Sequence, residues 1–377
     1  MNRVLPSNIM RFSKPIFCAA LASPRNLGRL AVAVLLVSNG AACAAAEEAV
    51  FIDAEEAADY PTFRYQGEYA GQVKWKPGAE PEPVALRVAA YGESDFRARL
   101  YHGGFPGEDG FAAAGEKAVD LHGRYEDRVL EFSGAGDLRF RFIFNRFTAL
   151  DETNTYQGRL DRVERSSPTL GQPPPEGAVP LFDGSGLDHW RDGAEMTSEG
   201  LLKQGAFTAE EYGDMRLHVE AKLGFMPEHR NQRRGNSGLY LQNRYEVQVL
   251  DSFALPPAVN GNASLYNVST PLVNASLPPL SWQTYDIFFR APRFDREGDK
   301  TENARVSVYL NGVLVQDDLE LERGTGAGGR REEVARAAVD LQDHTGPVRF
   351  RNVWLVEESY SPPGTPRLTP ETAANDR

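Results

Sequence analysis

The sequence has no run of 18 apolar residues, so no segment of it is expected to span a membrane as a helix. Cysteine is almost absent: the 377-residue chain has two, Cys18 and Cys43, both within the first 46 residues. Those 46 residues contain five basic residues and no acidic one, followed by an apolar run (30–37) and small residues up to Ala46, which is the pattern of a secretory leader. We therefore expect an exported chain, periplasmic or secreted, without disulfide bonds and without a thiol nucleophile. A lipid anchor on Cys43 is a minor alternative.

Positive charge is also in short supply. The formal net charge is −12 and becomes −17 once the five positive charges of the predicted leader are removed. A strongly acidic protein is a poor partner for nucleic acid or for an anionic membrane surface, whereas a neutral ligand suits it.

One glycine-rich segment, residues 324–329, matches the G-x-G-x-x-G pattern of dinucleotide sites. That pattern requires a buried parallel strand before the glycines, and the acidic residues that precede it here are typical of a hairpin strand instead. We interpret the segment as a flexible loop near a binding face.

Long helical periodicity is missing as well, and most of the chain alternates apolar and polar residues with a period of two, separated by glycine-rich turns. Asn311-Gly312 between two such runs indicates a tight hairpin. The pattern predicts an all-β protein: a β-sandwich or jelly roll preceded by a small antiparallel β domain. The predicted organisation is leader (1–46), all-β accessory domain (47–165), proline-rich linker (166–180), jelly-roll domain (181–358) and disordered tail (359–377).

The stretch GNSGLYLQNRYEVQVLDS (235–252) has an unusual polar face. It alternates for a dozen positions, as a strand does, and places aliphatic residues at odd positions. The even positions carry side chains that bind hydroxyl groups rather than merely face water: Tyr240, Gln242, Arg244, Glu246 and Gln248.

Two later segments repeat this arrangement. Asp340, Gln342 and His344 share one face of AVDLQDH, and Arg351 lies opposite Phe350 in VRFRNVW. A sandwich whose face is lined by amides, guanidinium groups, carboxylates and an aromatic ring has the chemistry of a sugar-binding surface. The other interpretation, that these are solvated strand faces with incidental charges, stays open.

Five motifs carry a resemblance to a known family: LFDGSGLDHW (181–190), the stretch 235–252, PLVNASLPPLSWQTYDIFFRAPRFD (271–295), VSVYLNGVLVQDDLEL (306–321) and LQDHTGPVRFRNVWL (341–355). Together they resemble the 3-keto-disaccharide hydrolase domain. One stretch, SLYNVSTP (264–271), departs from the family pattern. The resemblance does not extend to residues 47–165.

The resemblance implies that the second domain is a concanavalin A-like jelly roll. It also implies a hydrolase or lyase of carbohydrate metabolism that acts on glycosides oxidised at C3. A ketone at C3 acidifies the C2 proton, so that a base removes it, the C1 substituent leaves, and added water completes a net hydrolysis. Ordinary glycosidases instead flank an oxocarbenium ion with two carboxylates.

We chose the candidate site residues by their position in the alternating pattern of each strand and by the chemistry of their side chains. The catalytic candidates are Glu246 or His344 as base or acid, with Arg351 or Arg244 stabilising the enolate. Cofactors are unknown, although Glu246, Asp251 and His344 could together hold a divalent metal ion. The substrate-binding candidates are Tyr240, Gln242, Arg244, Gln248, Trp282 and Gln342.

Two alternatives to this function remain. The same sandwich could be a non-catalytic, lectin-like carbohydrate-binding protein of the cell surface. The domain at 47–165 has no visible chemistry, so it could bind a protein or wall partner. The expected ligand is in either case an oligosaccharide or glycoside.

Overall fold

The computed structural model describes residues 49–377 except 114–116, 327, 362–369 and 373–377, and it leaves the side chains of 112, 113, 329 and 370–372 undescribed. The predicted leader, the possible anchor at Cys43 and most of the predicted disordered tail lie outside these residues. The described residues belong to one compact unit. No helix among the described residues has the length and apolarity needed to cross a membrane.

The first half of the unit is a closed barrel of eight antiparallel strands, in which each strand pairs with the next and β8 returns to β1. Aromatic side chains fill its interior. The strands are β1 (Gly67–Val73), β2 (Glu82–Ala90), β3 (Asp95–His102), β4 (Ala118–Glu126), β5 (Val129–Ala135), β6 (Leu138–Ile143), β7 (Arg146–Leu150) and β8 (Tyr156–Arg165). The two α-helices are short and belong to this half: α1 (Ala54–Ala57) and α2 (Asp109–Ala113).

The second half is a sandwich of two antiparallel sheets. We call the seven-stranded one, ordered β10-β21-β12-β15-β18-β19 with β9 paired to β21, the large sheet, and the four-stranded one, ordered β11-β20-β13-β14, the small sheet. A further pair, β16-β17, stands apart, and β22 pairs with the barrel strand β8. The strands are β9 (Val179–Phe182), β10 (Leu202–Lys203), β11 (Ala206–Phe207), β12 (Met215–Leu223), β13 (Asn236–Leu241), β14 (Tyr245–Leu250), β15 (Trp282–Arg290), β16 (Arg293–Phe294), β17 (Lys300–Glu302), β18 (Ala304–Leu310), β19 (Val313–Leu321), β20 (Asp340–Leu341), β21 (Val348–Val356) and β22 (Pro370–Thr372).

This architecture confirms the predicted all-β fold with a sandwich. The predicted hairpin at Asn311-Gly312 is confirmed too: both residues have positive φ, 52° and 76°, and they join β18 to β19. Three-residue 3-10 turns at Phe63–Tyr65, Asn231–Arg233 and Gly328–Arg330 are the remaining helical elements of the described chain.

One hydrophobic core fills the space between the two sheets. The large sheet contributes alternate residues of β12, such as Leu217 and Val219, and the small sheet contributes those of its hairpin, such as Leu239 and Val247. Since side chains alternate across a strand, the intervening residues of each sheet point away from this core. The sandwich therefore has two outer faces that lie on opposite sides of it.

The outer face of the large sheet is covered by the chain that leaves the barrel. The Thr169 hydroxyl donates to Asp286 (2.7 Å), and the Gly171 amide donates to Glu220 (2.5 Å). The Gln172 carbonyl accepts from the side chains of Asn352 and Trp354. The start of the segment predicted as a linker thus packs on the sheet before the three prolines begin.

A buried ion pair connects the sandwich to the barrel. Arg234 donates from Nε to Asp251 (2.8 Å), and both residues are almost completely buried. The same guanidinium group reaches the barrel, where it donates to the Ala90 carbonyl (3.3 Å) and lies over the ring of Tyr91. Removing one partner of such a pair leaves the other charge buried and uncompensated.

Replacing Arg234 with Met is therefore expected to lower the free energy of unfolding by about 3–5 kcal/mol, because the Asp251 carboxylate loses its counter-ion inside the protein. Denaturant unfolding followed by tryptophan fluorescence measures the change. The matched control is the double variant Arg234→Met/Asp251→Asn, which removes the stranded charge and should regain part of the loss. A cost below about 1 kcal/mol for the single variant would show that the pair is solvated.

Candidate active site

The stretch 235–252 is a hairpin, not one long strand. β13 and β14 are joined by a turn in which Gln242 and Asn243 have positive φ, 51° and 55°. The register nevertheless pairs even positions with even positions: Tyr240 lies opposite Glu246, and Gly238 lies opposite Gln248. The predicted single strand is wrong in its connectivity, but Tyr240, Glu246 and Gln248 do share the outer face of the small sheet.

Glu246 lies at the centre of this face and is 3% exposed. Its Oε2 accepts a hydrogen bond from the Tyr240 hydroxyl (2.8 Å). With its amide oriented to match its hydrogen-bonding partners, Gln248 donates to Glu246 Oε1 (3.1 Å) and to the Ser237 carbonyl (2.8 Å). The carboxyl group thus receives two neutral donors and no cation from these neighbours.

A second carboxyl group, Asp340, lies on the neighbouring strand β20, with its backbone opposite Tyr240. It is 7% exposed, and its Oδ1 is buried without a hydrogen-bond partner among the described residues. Asp340 shares the predicted face of Gln342 and His344, but the sequence prediction did not select it as a candidate.

Gln342 follows Asp340 and completes the cluster. Its Oε1 is also buried without a partner in the described part of the chain. Gly238 makes room for it: a Cβ at that position would lie 2.7 Å from Glu246 Oε1 and 3.2 Å from Gln342 Oε1. The absence of a side chain at 238 therefore lets the carboxyl group and the amide approach the sheet closely.

Both carboxyl groups have pKa values far above their ordinary range. Burial raises the pKa of Glu246 to about 7, although the hydrogen bond from Tyr240 lowers it in part. Burial likewise raises the pKa of Asp340 to about 7; the positive charge of Arg331 lowers it, and the negative charge of Glu246 raises it further. With both pKa values near 7, each carboxyl group is partly protonated near neutral pH, which is the state that acid–base chemistry requires.

Arg351 and Trp282 do not join this cluster, because they lie on the outer face of the large sheet. Arg351 donates to Glu220 (2.7 Å), and its guanidinium carbon lies 4.0 Å from the centre of the Trp282 ring. Burial would raise the pKa of Glu220, but hydrogen bonds, from His218 first, lower it to about 2. The predicted convergence of Arg351 and Trp282 with Glu246 is therefore wrong: a hydrophobic core separates them.

Gln242 and Arg244 belong to the hairpin turn rather than to the polar face. The Gln242 amide donates to the carbonyls of Tyr212 (3.1 Å) and Ala335 (2.9 Å). The Arg244 guanidinium donates to the carbonyls of Gln242 (2.7 Å) and Glu332. Both side chains hold backbone segments in place, which corrects the prediction that they bind substrate directly.

His344 lies beyond the end of β20, which stops at Leu341, and its side chain is exposed. Its Nδ1 accepts the backbone N–H of Thr345 (2.8 Å). The contacts seen for this imidazole are local, so the structure does not bring it to Glu246.

The metal site considered from the sequence does not form. Asp251 is engaged by Arg234 on the barrel side of the sandwich, and His344 is on an exposed loop. Within the described residues, no three His, Cys, Asp or Glu side chains come together as metal ligands. Glu246, Asp251 and His344 therefore do not fit a divalent ion.

Two segments in which the sequence analysis selected no candidate residue lie against Glu246. Tyr266 lies in the divergent stretch 264–271, and its amide donates to the Glu246 carbonyl (3.1 Å). Thr325, in the glycine-rich segment, accepts the Glu246 N–H through Oγ1 (2.7 Å). The expectation of a loop near a binding face pointed to this segment, but no sequence signal identified the individual residues.

The fold and these residues define an all-β protein with two buried carboxyl groups of raised pKa on one outer face of a sandwich. Residues 177–356 match the model of the family described as the 3-keto-alpha-glucoside-1,2-lyase-like domain. This part of the chain belongs to that family, as the resemblance predicted, and the chain therefore carries a glycoside-acting domain.

Other comparisons gave weaker likenesses. No curated protein sequence matches the chain. Crystal structures of three presumed glycosyl hydrolases from Parabacteroides distasonis are similar to it at TM-scores of 0.44, 0.36 and 0.35. Their sequence identities are 31%, 17% and 16%, over 49%, 49% and 48% of this chain and 85%, 95% and 99% of theirs.

The raised pKa of Glu246 predicts how stability changes with pH. In the folded state Glu246 holds its proton up to about pH 7, whereas in the unfolded state the carboxyl releases it near pH 4.5. The contribution of Glu246 to the free energy of unfolding is therefore complete below pH 4.5 and is lost as the pH rises towards 7. Glutamine does not titrate, so Glu246→Gln avoids this loss. Between pH 4.5 and 7 the free energy of unfolding of the variant should therefore rise relative to that of wild type by on the order of 2–3 kcal/mol.

Urea unfolding at a series of pH values measures this difference. Glu152→Gln, at an exposed position of the barrel, is the matched control and should follow the wild-type curve. Parallel pH curves for wild type and Glu246→Gln would show that the Glu246 carboxyl is not perturbed.

Proposed function

We propose that this protein cleaves glycosides that carry a ketone at C3, by elimination across C1 and C2. A carboxylate removes the C2 proton, and the electron pair forms an enolate with the C3 ketone. The enolate then expels the C1 substituent, whose oxygen takes a proton from a second carboxyl group. Water added at C1 converts the unsaturated product to the free 3-keto sugar, so that the net reaction is hydrolysis.

The observation that carries this proposal is the pair of buried carboxyl groups that titrate near pH 7. Glu246 accepts hydrogen bonds from Tyr240 and Gln248, which favours its ionised form and suits it to act as the base. Asp340 Oδ1 has no donor among the described residues, which favours the protonated form and suits it to act as the acid.

The unsatisfied acceptors favour a polyhydroxylated ligand. Asp340 Oδ1 and Gln342 Oε1 are both buried oxygen atoms that lack a donor within the described chain. Buried polar atoms without partners cost free energy, and sugar hydroxyl groups would donate to them. An anionic substrate would instead bring charge against the carboxyl pair.

The second half of the reaction returns the pair to its starting state. After the elimination Glu246 holds the proton and Asp340 the charge. The addition of water reverses this: Asp340 takes a proton from the water as it adds to C1, and Glu246 returns its proton to C2. The Tyr240 hydroxyl is bonded to Glu246, and its residue lies between the strands that carry the two carboxyl groups. No step is routed through a metal ion, because the residues considered for one do not come together.

The proposal extends to location. The basic and apolar pattern of residues 1–46 favours export, so the enzyme would meet its substrate outside the cytoplasm. A protein or wall partner for the barrel stays a hypothesis.

The direct test supplies a 3-keto-glucoside and its unoxidised parent glucoside to the pure protein. We expect release of the C1 alcohol from the keto compound only, with a primary kinetic isotope effect when C2 carries deuterium. Chromatography of the products and the rate ratio of the two isotopologues are the measurements.

Two other results of this test would each lead to a different conclusion about the reaction. Cleavage of the parent glucoside without a C2 isotope effect would indicate ordinary glycoside hydrolysis and contradict the elimination. Saturable binding of either sugar without turnover would support the non-catalytic, carbohydrate-binding alternative.

Substitution of the two carboxyl groups separates their roles. Glu246→Gln removes the base and should lower kcat by about 10²–10⁴-fold for every 3-keto-glycoside. Asp340→Asn should lower it by a similar factor for alkyl leaving groups but much less for 4-nitrophenolate, which leaves without a proton. Steady-state rates from pH 5 to 9 measure this, and wild-type kcat/KM should peak near pH 7.

The matched control is Trp282→Phe, on the outer face of the large sheet, which should keep kcat within about threefold. Equal losses in Glu246→Gln and Trp282→Phe would indicate a general folding defect. An unchanged rate in Glu246→Gln would rule out Glu246 as the base.

A further inference from the structure

A cavity of about 280 Å³ lies where the barrel meets the sandwich, and we call it the junction cavity. Its barrel side is formed by the start of β1 and the end of β8, residues 66–68 and 162–165. Its sandwich side is the loop 278–281, which leads into β15. No residue of its wall belongs to the carboxyl cluster around Glu246, so the junction cavity is a separate site of a size that suits a small molecule.

Two side chains of the cavity wall carry hydrogen-bond donors that have no acceptor. Gln66 is 2% exposed; its Oε1 accepts the Ala90 N–H (3.2 Å), whereas its Nε2 has no partner among the described residues. Arg165 is 7% exposed; its Nε and Nη2 donate to Glu68 (2.8 and 2.6 Å), whereas its Nη1 has no partner there either. Because a buried donor without an acceptor is destabilising, both side chains point to a ligand that accepts hydrogen bonds.

The buried charges behind this wall do not balance. Glu68 pairs with two arginines at once, Arg165 (2.6 Å) and Arg87 (2.9 Å), and all three residues are buried. Two guanidinium groups therefore share one carboxylate. Arg87 also has a buried Nη2 without a partner in the described part of the chain. Since a buried charge without a counter-ion is costly, the cluster favours a bound anion.

Two other carboxyl groups lie near, and neither cancels this charge. Glu108 accepts the Phe105 N–H through Oε2 (2.8 Å) and, within the described residues, forms no ion pair with Arg87 or Arg165. Burial raises the pKa of the Glu108 carboxyl, which favours its neutral form. Glu164 belongs to the cavity wall but is exposed, so water screens its charge.

Arg162 brings a further guanidinium group to the wall. It donates to the backbone carbonyls of Arg64 (3.1 Å) and Gln66 (2.7 Å), which are neutral acceptors. A Cβ at Gly67 would lie 2.8 Å from Arg162 Nη2, so glycine at the start of β1 leaves room for this cation. The wall is thus locally basic in a chain whose net charge is negative.

The sandwich closes the cavity with a strained turn. Leu280 has a φ of 71°, which is rare for a large side chain. The turn is held by two backbone bonds, from Leu280 N–H to the Leu223 carbonyl (2.9 Å) and from Ser281 N–H to the Pro278 carbonyl (3.1 Å). Backbone strain of this kind is found most often where a ligand binds, and here it adds prolines and Leu280 to the cavity wall.

We propose that the junction cavity binds a small organic carboxylate. Its oxygen atoms accept hydrogen bonds from Gln66 Nε2 and Arg165 Nη1, because amide and guanidinium donors match a carboxylate, and its body packs on Pro279 and Leu280. The bound molecule connects the barrel to the sandwich. The barrel, in which the sequence showed no chemistry, thus supplies most of a ligand site. This inference does not rest on the proposed reaction.

The test is isothermal titration calorimetry of the pure protein with two carboxylates, benzoate and gluconate, and with their neutral counterparts, benzamide and glucose. We expect at least one carboxylate to bind, and its neutral counterpart to bind at least about tenfold more weakly because it makes no charge-assisted hydrogen bonds. Tighter binding of benzoate indicates an apolar body, and tighter binding of gluconate a polyhydroxylated one.

Two variants locate the binding. Ala54 is an exposed residue of the cavity wall, and Ala54→Trp should fill the cavity and weaken carboxylate binding at least about tenfold. Glu55→Trp, exposed on the same short helix but outside the wall, is the matched control and should bind as wild type does. Gln66→Glu keeps an acceptor for the Ala90 N–H but replaces the free donor, and it should weaken binding by a similar factor.

Thermal unfolding of each variant shows whether it is folded before it is titrated. Equal affinity for a carboxylate and its neutral counterpart would contradict the preference for an anion. Carboxylate binding that persists in both folded variants would show that the ligand lies elsewhere. No binding of either carboxylate by wild type at about 10 mM would overturn the proposal, whatever the protein does to glycosides.

Discussion

The site depends on one constraint: a hairpin with a dry core on one side and two carboxyl groups on the other. Leu239 and Val247 are fully buried between the sheets, so a one-residue slip of β13 against β14 would force either Tyr240 or Glu246 into the core. The core therefore fixes the register that brings the Tyr240 hydroxyl to Glu246. On the outer face, the segments that contain Tyr266 and Thr325 lie against Glu246, and the resulting burial is the largest cause of its raised pKa.

Alternation along each strand was enough to predict the all-β class and the shared face of Tyr240, Glu246 and Gln248. The hairpin itself was not predicted, because Gln242-Asn243 lacks the glycine that usually signals such a turn. The missed turn did not change which residues share a face. The turn has a length that pairs even residues of β13 with even residues of β14, so Tyr240, Glu246 and Gln248 still lie on the same side of the sheet.

Alternation could not say which of the two sheets a polar residue belongs to. Both sheets send one set of side chains into the common core, so both have an outer set, and Arg351 belongs to the outer set of the wrong sheet. The sequence also did not show where the strand β20 ends. Asp340 lies within β20 and joins the site, whereas His344, four residues later on the same predicted face, lies past its end. Only tertiary packing decides where a short strand stops.

The distribution of charge around Glu246 and Asp340 explains why the pKa values of both carboxyl groups lie near 7. The interior offers Glu246 hydroxyl and amide donors, while the guanidinium groups of Arg244 and Arg331 are held at the rim by backbone carbonyls. Direct hydrogen bonds from charged and polar side chains would lower either pKa below its ordinary value, as those from His218, Asn352 and Arg351 do at Glu220, and the acid would be lost. The arginines lie at the turn, and only neutral donors reach the carboxyl oxygens of Glu246. This arrangement allows one carboxyl group to give a proton while the other takes one.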